Sequence, residues 1–122
     1  IVFDWEFVMK IFVSIFISCL LFTSSISAAE SVRVPSDPSS TYKIVAKNVG
    51  RARSALVVIS ERKGRSGISY AIREVNCLTR KFRYLSKGDT LDEALSRVKS
   101  SNSMSSLVTG SISYYIVSAA CD

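Results

Sequence analysis

Ser54-Ala55-Leu56-Val57-Val58-Ile59-Ser60, followed after one polar segment by Ile68-Ser69-Tyr70-Ala71-Ile72-Arg73-Glu74-Val75-Asn76-Cys77, decides the fold class. The first run is rich in β-branched residues and too short for an ordinary helix, so it reads as a central strand, and the second as a longer strand beside it. Between them, Glu61 to Gly67 holds two glycines and three cations and reads as their turn. Upstream, Tyr42-Lys43-Ile44-Val45-Ala46 is a short strand ending in the turn Asn48-Val49-Gly50. Downstream, Arg80-Lys81-Phe82-Arg83-Tyr84-Leu85 interleaves cations with apolar residues, the period of a strand with one face on a core and the other in water. About four consecutive strands joined by short turns predict an antiparallel β-meander.

The period changes after Ser86-Lys87-Gly88-Asp89. Thr90-Leu91-Asp92-Glu93 has the form of a capping box, in which Thr90 accepts from the Glu93 N–H and the Glu93 carboxylate reaches back. Leu91, Ala94, Leu95 and Val98 then fall at helical spacing, so a short amphipathic helix runs to about Lys99, and the serine-rich stretch 100–106 is a loop. Residues 111–121 fit two periods. As a helix capped by Ser111 they align Ile112, Tyr115, Ile116 and Ala119; as a strand they align Ile112, Tyr114 and Ile116. Ala119 and Ala120 favour the helix. The fold class expected is α+β, a meander with a short helix and a C-terminal helix.

Compartment is read from the other end of the chain. Met9-Lys10, an apolar run from Ile11 to Phe22, and small residues up to Ala29 have the n-, h- and c-region order of a secretory signal peptide. Residues 1–8, with Asp4 and Glu6 ahead of the n-region, read as an over-extended reading frame, and residues 9–29 as the signal. The alternative, one membrane anchor over residues 1–22, has too short an apolar run, since spans begin at about 17 residues. Cys19 raises a lipoprotein reading, but Phe16-Ile17-Ser18 and Leu20-Leu21-Phe22 are a poor lipidation context. The protein is therefore expected in the periplasm or at the cell surface, with no membrane span after processing. Residues 30–41, with Pro35, Pro38 and several serines, are expected to be a flexible tether to a single domain over 42–122.

Processing leaves 93 residues, enough for one domain with a thin core. Only Cys77 and Cys121 remain, an even pair in an oxidising compartment, and one disulfide is expected. With Lys10, Asp4 and Glu6 removed, 15 Lys and Arg face 8 Asp and Glu, a net of +7. Part of that charge lies in Arg51-Ala52-Arg53, in Arg62, Lys63 and Arg65, and in Arg80, Lys81 and Arg83. The last two groups form the expected binding surface for acidic glycans, an anionic envelope surface or a host matrix protein. Replacing Arg62, Lys63 and Arg65 by glutamine is expected to weaken such binding with little effect on stability. Nucleic acid is not an expected partner of an exported chain.

The chain has no histidine, which removes the commonest general base, zinc ligand and partner of a nucleophilic serine. Of the carboxylates Asp89, Asp92 and Glu93, the last two belong to a helix start. Ser60-Glu61-Arg62-Lys63 has Ser-x-x-Lys spacing, but in a charged segment where a dry lysine is not expected. Gly64-Arg65-Ser66-Gly67 lacks the P-loop spacing. No catalytic, cofactor or metal site is expected, and the chain reads as non-catalytic.

Val75-Asn76-Cys77, Phe82-Arg83-Tyr84-Leu85 with Gly88-Asp89-Thr90, Gly110-Ser111-Ile112 and the terminal Cys121 resemble the pattern of small bacterial envelope proteins similar to surface-adhesin protein E, over roughly residues 68 to 121. The resemblance implies an antiparallel sheet joined to a C-terminal helix by a disulfide, and binding to host extracellular proteins in some members. Together these readings predict a small exported binding or adhesin-like accessory module, the alternative being a structural or stress-related periplasmic domain with no ligand. Intact mass and N-terminal sequencing of the exported protein should show a start at Ala29 or Glu30 and no lipid; an acylated Cys19 at the N-terminus would contradict this.

Overall fold

The computed structural model describes residues 29–48, 50, 52–99 and 103–122. The reading frame, signal and Cys19 readings, and Arg51, lie outside the described residues, apart from Ala29.

Among the described residues, six strands follow one another in space as in sequence: β1 (Glu30–Val32), β2 (Thr41–Lys47), β3 (Leu56–Gly64), β4 (Gly67–Asn76), β5 (Lys81–Gly88) and β6 (Ser105–Ser106). Every neighbouring pair is antiparallel, so the sheet is a meander, with two strands more than the four expected. Helix α1 (Leu91–Ser96) follows β5 and helix α2 (Ile112–Cys121) ends the chain. The fold class is α+β.

Both added strands come from segments whose polar composition suggested loops. Residues 30–41 are built into the domain: Glu30–Val32 pairs with Tyr42–Ile44, and Val32 and Val34 are buried in the core. The tether expectation is corrected here, because two valines spaced to face one side outweigh the prolines and serines around them. At the far edge, Ser105 and Ser106 pair with Phe82 and Lys81. The turn expected over Glu61–Gly67 is also shorter. Glu61, Arg62 and Lys63 continue the β3–β4 ladder to Gly64 opposite Gly67, leaving only Arg65-Ser66 as the loop. Gly67 has φ 117°, a conformation natural only to glycine. Cations suit these strand positions because their long stems lie along the sheet while the charges reach solvent or a partner.

One face of the sheet carries the main core. Leu56, Val58 and Val75 from β3 and β4, with Tyr42, Ile44, Val32 and Val34, pack with Ile116, Val117, Ala120 and Cys121 of α2. The most buried residues of α2 are Ser113, Ile116, Val117, Ala120 and Cys121, so the inward stripe is turned by one residue from the one expected, and Ile112, Tyr115 and Ala119 pack on its flank. Ser111 caps the helix, its hydroxyl accepting from the Tyr114 N–H at 3.2 Å. Cys121 is bonded to Cys77, which follows β4.

A bulge gives the sheet a second packed face. Arg73 lies opposite Tyr84, but Ile72 lies opposite Ser86, so Leu85 is the extra residue of β5. Tyr84 and Ser86 would share a face in a regular strand; here Tyr84 faces with Arg73 and Ser86 with Ile72. The Ser86 hydroxyl bonds the Ala94 carbonyl of α1, and Ile72, Ser86 and Ala94 are all buried. The Thr90 hydroxyl accepts from the Glu93 N–H as the capping box requires, while the Glu93 carboxylate accepts from the Asp89 N–H. Helix α1 ends at Ser96, short of Lys99, whose N–H instead donates to Leu85 O of β5 at 2.9 Å. Of its expected stripe only Ala94 is buried, and Leu91, Leu95 and Val98 are exposed. Gly88 admits α1 closely: a Cβ there would lie 2.7 Å from Ala94 N.

Closing a loop of about 45 residues stabilises a fold by up to about 4 kcal/mol. At about 4–8 °C per kcal/mol, Cys77→Ser or Cys121→Ser should lower the thermal midpoint by more than ~10 °C, measured by differential scanning calorimetry. Alkylation of both thiols in the native protein would contradict the bond.

Candidate functional site

Arg73 is the residue around which the site forms. It stands on the core face of β4 between Ala71 and Val75, two positions apart on either side, and is 3% exposed. Its guanidinium donates to Ser60 Oγ at 2.7 Å, Tyr84 OH at 3.1 Å and Ser113 Oγ at 3.2 Å. The Tyr84 and Ser113 hydroxyls are 3.1 Å apart and close the ring of hydrogen bonds. Every one of these partners is neutral. Among the described residues no carboxylate forms an ion pair with Arg73. Burying a cation costs several kcal/mol, and hydroxyls offset only part of it.

A cleft of about 460 Å³ opens beside this network, and its lining includes Arg73, Tyr84 and Lys87 together with Asp89, Glu93 and Arg97. The Lys87 ammonium lies 4.1 Å from the Tyr84 ring centroid and the Arg73 guanidinium carbon 4.7 Å from it. Two cations therefore approach one ring, attracted by its electron-rich face. Glu93 is held by Arg97 at 2.6 Å. Tyr42, Arg62 and Tyr70 line the remainder. Here Asp37 Oδ2 accepts from Tyr42 OH at 2.7 Å, and Arg62 Nε donates to the same phenol oxygen at 3.1 Å.

These arrangements move the three phenols in different directions. Burial pushes Tyr84 up, but the Arg73 charge, hydrogen bonds from Ser113 and Arg73, and the Lys87 charge outweigh it, so its pKa lies below the ordinary value. Tyr42 is raised, by burial first and then by its bond to Asp37. Tyr70 is raised by its hydrogen bond to Glu61, with burial adding to it. Asp37 is lowered chiefly by the Tyr42 hydroxyl it accepts from.

The basic residues singled out in the sequence are distributed over both ends of the sheet. Arg62, Lys63 and Arg65 belong to the β3–β4 hairpin end, next to the cleft. Arg80, Lys81 and Arg83 lie toward the β4–β5 turn end, roughly 15–30 Å away along the strand. Arg80, at φ 55°, pairs with Asp122 at 2.6 Å, and Arg83 pairs with Glu74 at 2.7 Å. Arg62 pairs with Asp37 at 3.4 Å. Lys63, Arg65 and Lys81 are exposed. Arg62 ties segment 30–41 to the sheet, so its replacement costs stability, contrary to the expectation that all three hairpin cations can be changed freely. Lys63 falls on the opposite parity of β3 from Ser60, whose hydroxyl is bound to Arg73, so the Ser-x-x-Lys pair does not meet.

Arg73, Tyr84 and Lys87 were not singled out by the sequence reading. The available signal was an arginine in phase with Ala71 and Val75 on the buried face of a strand, where a charge requires a reason. Among the described residues no cluster of three His, Cys, Asp or Glu could hold a metal ion, and no helix is long and apolar enough to cross a membrane. No protein-family model matches the chain, and neither curated proteins nor solved structures give a significant match.

An absorbance titration of the three cleft phenols should show Tyr84 ionising before Tyr42 and Tyr70, with Tyr84→Phe removing that early step. Where folded Tyr84 has lost its proton and the unfolded chain has not, stability contributed by Tyr84 rises with pH; for Tyr42 and Tyr70, which hold their protons longer in the fold, it falls above the ordinary phenol pKa. An unchanged early step in Tyr84→Phe would refute the assignment.

Proposed function

We propose that the protein is an exported, non-catalytic binding module of the bacterial envelope, adhesin-like in the broad sense, that recognises an acidic ligand at the hairpin end of its sheet. The observation that carries this reading is Arg73, a buried cation with neutral partners on the wall of an open cleft. A cation kept in that state gains most from an anion brought to it. Exposed Lys63 and Arg65 lie on the same end of the sheet and extend the positive field over the approach. Acidic glycans, anionic envelope surfaces and acidic faces of host matrix proteins all present the required charge. The Arg80, Lys81 and Arg83 group, with two of its three cations paired internally, has a lesser part in this reading.

The experiment is retention on immobilised polyglutamate and on an immobilised polyuronate. Screening shortens from about 10 Å at 0.1 M salt to about 3 Å at 1 M, so retention at low salt should be lost before 1 M. Lys63→Gln combined with Arg65→Gln should elute at lower salt with an unchanged thermal midpoint, since both side chains are exposed. Failure of the wild-type protein to bind either resin would favour the second reading, a structural periplasmic domain, for which the internal pairing of Arg62, Arg80 and Arg83 speaks.

A further inference from the structure

We propose that the cleft is a subsite for one carboxylated sugar ring, whose carboxylate sits between Arg73 and Lys87 and whose hydroxyls turn to Asp89. This rests on the reading of the protein as a module for acidic ligands and narrows that reading to one ligand class.

The cationic wall selects a carboxylate. Arg73 spends three N–H donors on Ser60, Tyr84 and Ser113, and a guanidinium has five. Lys87 lies over the same Tyr84 ring and lines the same cleft, so an anion entering beside that ring is attracted by both cations. Guanidinium geometry matches the two oxygens of a carboxylate in one plane.

The acidic part of the lining selects against a dense polyanion. Asp89 is exposed at the cleft and Glu93 is engaged by Arg97. A strand carrying sulfate or phosphate at every position would meet Asp89 as a like charge, whereas sugar hydroxyls donate to it. The volume, about 460 Å³, lies in the range of small-ligand sites, and half-buried Tyr70 and Tyr84 supply aromatic surface for the C–H face of a ring.

The test is calorimetric titration of the full mature protein with an oligogalacturonate, its methyl ester and inorganic sulfate. The acid should bind and the neutral ester should not. Lys87→Gln, at an exposed position, should weaken binding about tenfold, the scale of a lost hydrogen bond to a charged group. Asp89→Asn should weaken the uronate and strengthen sulfate. Arg73→Gln should abolish binding, but it also breaks a buried network, so Lys87→Gln and Asp89→Asn decide. Equal binding of acid and ester, or uronate binding indifferent to both decisive variants, overturns the subsite. Retention on polyglutamate without uronate binding overturns the subsite and leaves the binding module standing; absence of both overturns both.

Discussion

The covalent link between Cys77 and Cys121 fixes the last turn of α2 against the end of β4, and the arrangement of the core face follows from it. Two cations reinforce the same turn. Lys47 donates to the Ala120 carbonyl at 3.2 Å and Arg53 to the Cys121 carbonyl at 3.0 Å, satisfying orphan acceptors at the negative end of the helix. With Cys121 facing the sheet, residues 113, 116, 117 and 120 must face it too. Ile116 and Val117 then join the core cluster that holds Val58 and Val75, while Ser113, in the first turn, is carried to Arg73. The bond that staples a small core also delivers a hydroxyl to the site.

Charge is handled in two ways across the sheet. On the face away from the main core, Lys43 with Glu61 and Arg83 with Glu74 sit opposite one another on paired strands as partly buried ion pairs. On the core side, Arg73 has hydroxyls and an aromatic ring in place of a carboxylate. The contrast is informative because acidic residues are used freely elsewhere as arginine partners. The neutral shell around Arg73 leaves its charge expressed at the cleft.

Legibility in the sequence follows locality. The β3 and β4 runs were readable because β-branched residues concentrate there, and the two helix starts because Thr90 and Ser111 cap through bonds only three residues long. Features fixed by distant partners were not. Val32 and Val34 look like part of a polar leader until β2 and the core are present, and Arg62 looks like a turn residue until Asp37 and Tyr42 meet it. The α2 stripe lies one residue from the position its own apolar residues suggest, because its phase is set by Cys77 and Arg73 and by the core it joins. Arg73 stayed hidden among the cations of a basic chain, since its significance depends on which face it occupies. Lys87 joined it only through the irregular register of β5.

That irregularity, the extra residue Leu85, has a consequence for how this strand tolerates change. Up to Tyr84 the strand serves the cleft network, and from Ser86 it serves the underside of α1. Neither task depends on the Leu85 side chain itself. Both depend on Leu85 staying outside the ladder, because pairing it regularly would bring Ser86 round to the face of Tyr84, whereas deleting it would make the two adjacent and leave them on opposite faces. In β5 the least negotiable quantity is therefore the phase across Leu85: substitutions act on one layer at a time, whereas drawing Leu85 into a regular ladder would disconnect the cleft network from the helix packed on the other face.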